Sequence, residues 1–482
     1  MVVRKHCSII MNPSFYKCGG YVLYILDKAE PAAPFDRINE NPLQEIKNLS
    51  TFLQKLTKRY LLVVAAGKEI RIDDGAIRRL IQVAEDSQAG LVYADYFLEE
   101  ENELIPRPLI VYQPGSIRDD FNFGDVLLFS TAAVQAALQK QGAIPQDPAL
   151  AFYDLRLKIS LDYPIFHIPE CLYIVAAKKE AAEKGKNEEG EAHFAYVAAR
   201  NFARQKKLEK LATNYLKLCG AYLTARTKKA GPADESFPVE ASIVIPVFNR
   251  CRTIEDALQS ALAQQTNFDF NIIIVDNHST DGTTQILKNL ALLHPKIHHR
   301  IPERRDLNIG GCWNEAIYSS CCGRYAVQLD SDDLYSSPET LQIIVDALQK
   351  GDYAMVVGSY TIVNEHLQET PPGLIDHREW TAANGHNNAL RVNGLGAPRA
   401  FNTAVLRRIG FPNVGYGEDY AVALRISREY KIGRIYQSLY LCRRWPDNTD
   451  ASLSVEKQNR NDFYKDKLRT LEIRARQKMT AS

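Results

Sequence analysis

Ala241-Ser-Ile-Val-Ile-Pro-Val-Phe-Asn249 opens the half of the chain whose reading decides the fold. Its unbroken aliphatic run is what a strand of a parallel sheet needs when both faces are covered. Forward from it, helix-length and strand-length runs alternate. Residues 253–264, 283–293 and 311–320 read as helices, and 270–276 and 325–329 as strands. Strands separated by helix-sized segments mean βαβ units and an open α/β sheet flanked by helices.

Backward from Ala241, two shifts in composition mark boundaries. Residues 227–238 are rich in Gly, Pro and Lys and interrupt regular structure. Residues 177–191 are mostly Lys, Glu, Ala and Gly, with too little apolar surface to pack. A helical pattern lies between them, at about 192–224. The residues before this region echo those after it. Tyr60-Leu-Leu-Val-Val-Ala-Ala-Gly-Lys68 matches Tyr325-Ala-Val-Gln-Leu-Asp-Ser-Asp-Asp333 in pattern, and Gly90-Leu-Val-Tyr-Ala-Asp-Tyr96 matches Ala354-Met-Val-Val-Gly-Ser-Tyr360. Phe129-Ser-Thr-Ala-Ala-Val134 matches Phe401-Asn-Thr-Ala-Val-Leu406, and Ile159-Ser-Leu-Asp-Tyr-Pro-Ile165 matches Ile426-Ser-Arg-Glu-Tyr-Lys-Ile432. Each match alone is weak. Four in the same order, at nearly constant spacing, point to a duplicated α/β module.

Composition narrows the function classes. The 482 residues suffice for two to four domains, and 45% hydrophobic with 24% charged residues is ordinary for a globular protein. The 59 Lys and Arg against 58 Asp and Glu exclude nucleic-acid binding by bulk charge. No apolar run reaches the roughly 18 residues of a membrane span. No signal-peptide core follows Met1-Val-Val-Arg-Lys-His-Cys-Ser8. Nine cysteines without metal-finger spacing read as thiols, so a reducing cytoplasm is expected.

In an open α/β sheet, ligands bind beyond the carboxyl ends of the strands. Polar segments follow each such end: Pro246-Val-Phe-Asn-Arg250, Asp276-Asn-His-Ser-Thr-Asp-Gly282 and Asp330-Ser-Asp-Asp333. Three carboxylates in four residues repel one another and call for a cation or for hydrogen-bond donors. Hard oxygen ligands of this kind suit Mg²⁺ or Mn²⁺.

Five spaced motifs now resemble one family. They are Ile243-Val-Ile-Pro-Val-Phe-Asn249, Val275-Asp-Asn-His-Ser-Thr-Asp-Gly-Thr283, Asn308-Ile-Gly-Gly-Cys-Trp-Asn314, Leu329-Asp-Ser-Asp-Asp333 and Gly410-Phe-Pro-Asn-Val-Gly-Tyr-Gly-Glu-Asp-Tyr420. Together they resemble the family 2 glycosyltransferases of GT-A fold, over about 241–454. The resemblance implies a cytoplasmic inverting transferase that moves a hexosyl or N-acetylhexosaminyl group. The donor is a nucleotide sugar, most readily a UDP-sugar, and the acceptor a hydroxyl of a glycan or lipid-linked glycan. It implies that Asp276 meets the nucleobase, that Pro246, Phe248 and Asn249 line the nucleoside, and that Arg305 lies near base or diphosphate. Asp330 would face ribose and metal, Asp332 would ligate Mn²⁺ or Mg²⁺, and Glu418 with Asp419 would form the acceptor-side pair, Asp419 as base. Many relatives carry a metal-binding His where Trp445 stands here. Arg443 and Arg444 are then candidates to clamp the diphosphate.

The expected organisation is a degenerate GT-A-like copy at 1–176, a linker and helix at 177–238, a catalytic domain at 239–454 and a basic helix at 455–482. The first copy has little chain before Tyr60, so part of the nucleotide-binding half should be missing. It places Ala65-Ala-Gly-Lys68 opposite Asp330–Asp333 and Ala151-Phe152 opposite Glu418-Asp419, so it is expected to be catalytically dead and to bind acceptor, dimerise or support. Plainer readings stand beside these. The acidic run could be a solvated turn capping a helix, and Glu418-Asp419 a charged first turn. Asn308-Ile-Gly-Gly311 could be a turn or a phosphate approach, and Asp281-Gly282 a turn. His278, His298 and His299 read as surface, Trp313 as core, and Trp380 and Trp445 as sugar-stacking candidates. The basic residues of 465–478 read as a solvated face or a peripheral membrane contact. A sugar nucleotidyltransferase lacks its glycine-rich loop here, and no Gly-x-Gly-x-x-Gly supports a dehydrogenase. A non-catalytic nucleotide-sugar-binding scaffold, and a homo-oligomer, remain open.

Overall fold

The computed structural model describes residues 15–27, 44–177, 201–225, 228–231, 236–378, 380–392, 394–444 and 453–481. Most of the charged 177–191 stretch and Trp445 therefore lie outside the described residues. Two compact units emerge. The first takes the described residues up to 177 together with Lys207–Ala221 and Ser454–Ile473; the second takes residues 201–206, Tyr222–Leu453 and Arg474 onward. The units are thus not contiguous in sequence. The helix Phe202–Leu218 and the helix Val455–Ala481, expected as linker and tail, are each divided between them.

The first unit contains a nine-stranded sheet among the described residues. Its strands are β1 (Phe15–Cys18), β2 (Tyr21–Leu26), β3 (Gln44–Glu45), β4 (Tyr60–Ala65), β5 (Ile70–Ile72), β6 (Leu91–Glu100), β7 (Glu103–Arg107), β8 (Val126–Ser130) and β9 (Ile165–Ala176), in the order β3-β1-β2-β4-β8-β6-β9-β5 with β7 on β6. Those of the second unit are β10 (Ala241–Val247), β11 (Phe270–Asp276), β12 (Ile297–Arg300), β13 (Tyr325–Gln328), β14 (Leu334–Tyr335), β15 (Met355–Val363), β16 (Glu369–Ile375), β17 (Arg399–Asn402) and β18 (Ile432–Arg443). They run in the order β12-β11-β10-β13-β17-β15-β18-β14 with β16 on β15. This is the expected α/β architecture, an open mixed sheet flanked by helices in each of two tandem units.

The orders correspond place for place, and so do registers. Phe129 of β8 faces Leu61 and Leu91, just as Phe401 of β17 faces Ala326 and Met355. The sheets differ on one side. β10 pairs parallel with β11 and β13, whereas β2 pairs antiparallel with β1 and β4. The places flanking β4 are therefore occupied, but by a hairpin rather than by βαβ units.

β10, β11 and β13 are buried almost throughout, which explains their lack of polar alternation. Ile243, Ile245, Ile272, Ile274 and Val327 pack with the helices Ile254–Leu262 and Thr340–Gly351. In the first unit the helix Val455–Ala481 seats its backbone on Gly115, where an added Cβ would lie 2.2 Å from the Asp466 carbonyl. Asp466 and Arg469 are fully buried, with Asp466 accepting from Ser116 and Arg469. The solvated-face reading of 465–478 fails there, because these charges are paired inside the fold. No described helix is long and apolar enough to cross a membrane.

Candidate active site

Three loops meet at the carboxyl ends of β10, β11 and β13. Pro246, near the end of β10, is half-buried, and Phe248 just beyond the strand is 54% exposed. Asn249 is left-handed at φ 52°. Its N–H donates to Ser279 Oγ at 2.9 Å and its Oδ1 accepts the Thr280 N–H at 2.7 Å, fastening the first loop to the second. Asp276, at the end of β11, is buried. It accepts the Ser279 N–H at 2.9 Å and the Thr284 hydroxyl at 2.5 Å, with His299 Nε2 at 3.4 Å. Burial alone would raise its proton affinity; the His299, Thr284 and Ser279 donors outweigh burial and hold the carboxyl well below the usual range. His299 is therefore not a surface residue but a partner of Asp276. Asp281 accepts the Thr283 and Cys251 N–H groups before Gly282 at φ 100°, as a turn should.

The third loop is the acidic run. Asp330 accepts from Gln328 Nε2 on both oxygens at 2.9 Å, and its N–H donates to the Tyr440 hydroxyl at 2.8 Å. Asp332 lies 3.5 Å from Arg250 Nε. Asp333 is buried and accepts the Arg443 N–H at 2.8 Å. The Arg443 side chain is also buried. It donates to the Asp332 carbonyl at 2.5 Å and to Asp256 at 2.7 Å, so it braces the acidic turn against the helix Ile254–Leu262. Arg444 is half-buried, its N–H on the Val363 carbonyl, and Arg305 is exposed. The solvated-cap reading of the run fails: Ser331 and Asp333 are buried, and the next helix, Thr340–Gly351, has no side-chain cap. Burial, followed by the Asp332 and Asp330 charges, raises the proton affinity of Asp333 well above normal. Burial also raises that of Asp330, against the pull of Arg399 and Gln328.

The acidic pair begins the helix Glu418–Glu429 after Gly417 at φ 78°. The loop before it rests on the start of the helix Ile309–Ile317. A Cβ on Gly310 would come 1.9 Å from the Pro412 carbonyl oxygen, and Asn413 Oδ1 accepts the Asn308 N–H at 2.8 Å. The glycines of Asn308-Ile-Gly-Gly311 thus serve the close approach of the loop that carries Glu418. Burial, then the Asp419 charge, pushes Glu418 up to about 8. Asp419 Oδ2 is 2.8 Å from Arg399 Nη1, and Oδ1 accepts the Tyr420 N–H at 2.7 Å.

Asp330, Gln328, Arg399, Glu418 and Asp419 line one cavity of about 130 Å³, walled by Ile309, Trp313, Phe401 and Phe411. Trp313 stacks on Phe411 and is buried, as a core residue. Trp380 is buried as well, with Gly385 against its ring. The structure therefore brings Asp330 together with Glu418 and Asp419. Asp332 lies just along the turn, and Asp276 is closed beneath its loop. Sequence reasoning missed Gln328, Arg399 and Tyr440. A glutamine inside the apolar run Tyr325-Ala-Val-Gln-Leu329 was the one signal available. Among the described residues, no group of three or more His, Cys, Asp or Glu is placed to hold a metal ion.

Comparison with known proteins adds the family. The model of "Glycosyl transferase family 2" matches residues 242–411. An uncharacterized glycosyltransferase of Rickettsia conorii is 24% identical over 316 residues, covering 61% of this chain and 49% of the relative. The chondroitin synthase of Escherichia coli is 36% identical over 109 residues, covering 23% and 15%. The chain thus spans about half, or less, of the length of these curated relatives. A solved structure of S. aureus TarS 1-349 in complex with UDP-GlcNAc is 21% identical, covers 48% of this chain and 66% of that one, and superposes with a TM-score of 0.39. The matched segment stops short of Glu418 but contains all three loops and Arg399: residues 242–411 belong to glycosyl transferase family 2.

Proposed function

We propose that the second unit transfers a glycosyl group from a nucleotide sugar, a UDP-sugar in the first instance, to a hydroxyl of a glycan or lipid-linked glycan, with inversion. One observation carries this reading: carboxylates from two distant segments, Asp330 and the Glu418-Asp419 pair, share a single cavity with one arginine between them. The family of residues 242–411 supports the reaction class.

Each residue then has a task. Asp276 stays ionised and keeps the nucleobase loop in shape, and Asn249 ties that loop to the one bearing Phe248. Asp419 accepts the proton of the incoming hydroxyl as its oxygen bonds to the anomeric carbon and the sugar–phosphate bond breaks. Glu418, protonated at neutral pH, adds no second negative charge beside it. Asp330 and Asp332 offer hard oxygen donors whose crowding with Asp333 favours a cation, so the residues fit Mg²⁺ or Mn²⁺, with diphosphate and water completing the shell. Such an ion would offset charge gathering on the leaving diphosphate. Arg443 is committed to bracing, which leaves Arg444 and Arg305 as diphosphate candidates.

The first unit we infer to be a non-catalytic copy. By the matching registers, Val63, Ala65 and Leu127 stand where Gln328, Asp330 and Arg399 stand in the second sheet. The test of the whole reading is to incubate the purified full chain with UDP- and GDP-sugars, with and without Mn²⁺, and to follow nucleotide release. Metal-dependent release from at least one donor is expected; release from none overturns the enzyme.

A further inference from the structure

Asp419, the proposed base, is fully engaged in this structure. Arg399 Nη1 sits 2.8 Å from its Oδ2, and the Tyr420 N–H occupies Oδ1. A carboxylate held by a guanidinium is a poor proton acceptor, because the cation stabilises its ionised form. Arg399 is also held in place from behind. Its backbone N–H donates to Gln328 Oε1 at 3.1 Å, the same amide grips both oxygens of Asp330, and Nη1, besides pairing with Asp419, donates to the Gly396 carbonyl at 2.7 Å. The side chain thus lies between the acidic turn and the acidic pair, facing three carboxylates in one small cavity. Arginine and carboxylates also come and go together. In the first unit the place of Arg399 is taken by Leu127, and those of Glu418 and Asp419 by Ala151 and Phe152.

We propose that Arg399 couples donor arrival to release of the base: it clasps Asp419 when no donor is bound and passes to the donor's diphosphate when one enters. This rests on the reading that a nucleotide diphosphate binds beside Asp330. A guanidinium matches phosphate oxygens in a fork, and a dianionic diphosphate is a stronger competitor than one carboxylate. Once Arg399 turns to the donor, its hold on Asp419 Oδ2 is released, and that oxygen can take a proton from a hydroxyl in the cavity. The arrangement would also limit wasteful attack by water, since the base becomes available only with a donor in place.

Linkage makes the proposal testable with UDP alone, without an acceptor and without turnover. If Asp419 and the diphosphate compete for Arg399, removing the carboxylate must strengthen UDP binding by the competition it relieved. Asp419→Asn, nearly isosteric, should bind UDP with Mn²⁺ about fivefold tighter or more by calorimetry, and Arg399→Gln should bind it more weakly. In the double variant Asp419→Asn/Arg399→Gln the gain from Asp419→Asn should vanish. Unchanged affinity in Asp419→Asn overturns the proposal even if Arg399→Gln does not fold. A gain that persists without Arg399 also overturns it, because it would reflect relief of bulk repulsion. If the wild type binds neither UDP nor GDP, the proposed function fails and the coupling with it.

Discussion

The two sheets share one strand order, and their registers match from β4 and β13 outward, yet the residues at the corresponding places differ in chemistry. From β4 and β13 outward the strands pair in the same senses, and four corresponding positions have exchanged chemistry. Gln328, Arg399, Glu418 and Asp419 in the second unit answer to Val63, Leu127, Ala151 and Phe152 in the first. Those four residues lie in, or pack against, one apolar cluster with Leu61, Phe129 and Ile159. Phe152 sits edge-on to Tyr21 at 4.8 Å. In place of Asp333 there is Lys68, ion-paired with Asp125 at 2.8 Å. The scaffold is thus indifferent to what fills this place. A polar cavity and a solid apolar plug are both compatible with it, which is why fold alone does not carry function.

The comparison can be broken by experiment. The largest expected effect is at Asp419. Asp419→Asn should lower glycosyl transfer by about 10²- to 10⁴-fold while UDP is still bound, and near-normal turnover would remove Asp419 as the base. At the matching place in the first unit, Phe152→Ala should instead cost about 3 kcal/mol of stability through the lost ring, with nucleotide release per folded molecule unchanged. A selective loss of release there would give the first unit a part in the chemistry. Asp332→Asn should weaken Mn²⁺-dependent UDP binding by about 10- to 100-fold, the scale of losing a metal-site residue; equal affinity in a titration would take Asp332 out of the metal site.

A subtler difference is electrostatic. Glu418 takes up its proton more readily in the folded chain, near 8, than an exposed glutamate does at 4.5. Between those values the folded state binds more protons than the unfolded one, so its contribution to stability falls as pH rises from about 5 to 8. Glu418→Gln should flatten that decline by up to about 3 kcal/mol in urea melts taken at pH 5 and pH 8. An identical slope in both proteins would mean that Glu418 is ionised in the fold. Smallest of all, Asp154→Asn should leave turnover unchanged, since Asp154 is buried on Lys158 at 2.8 Å in the first unit.

Much of the second unit was legible because its signals are local. Buried parallel strands write themselves as aliphatic runs, and the helix 283–293 and strand 270–276 fall where their patterns place them. The acidic run and the acidic pair each sit on a loop next to such an element. What stayed hidden depends on partners far away in sequence. Arg399 is one basic residue on a short strand until the turn after β13 and the helix Glu418–Glu429 supply its three carboxylates. His299 looks like any polar residue on an edge strand until Asp276, at the end of neighbouring β11, meets it. The charges at 465–478 resemble a solvated helix because nothing local shows that Gly115 makes room for that helix backbone. The hairpin of β1 and β2 left no echo of the second half, since only the shared part of the sheet repeats.

The missing side chain at 310 has a consequence of its own. With the Pro412 oxygen already where a methyl group would stand, Gly310→Ala must lift the strap 412–417 by at least an ångström or tilt the helix beneath it. Either shift carries Glu418 and Asp419 along while leaving every reactive group chemically intact. The position of the acidic pair, and with it that of the proposed base, is in that sense gauged by a hydrogen atom, on a residue that would never be scored as part of the chemistry.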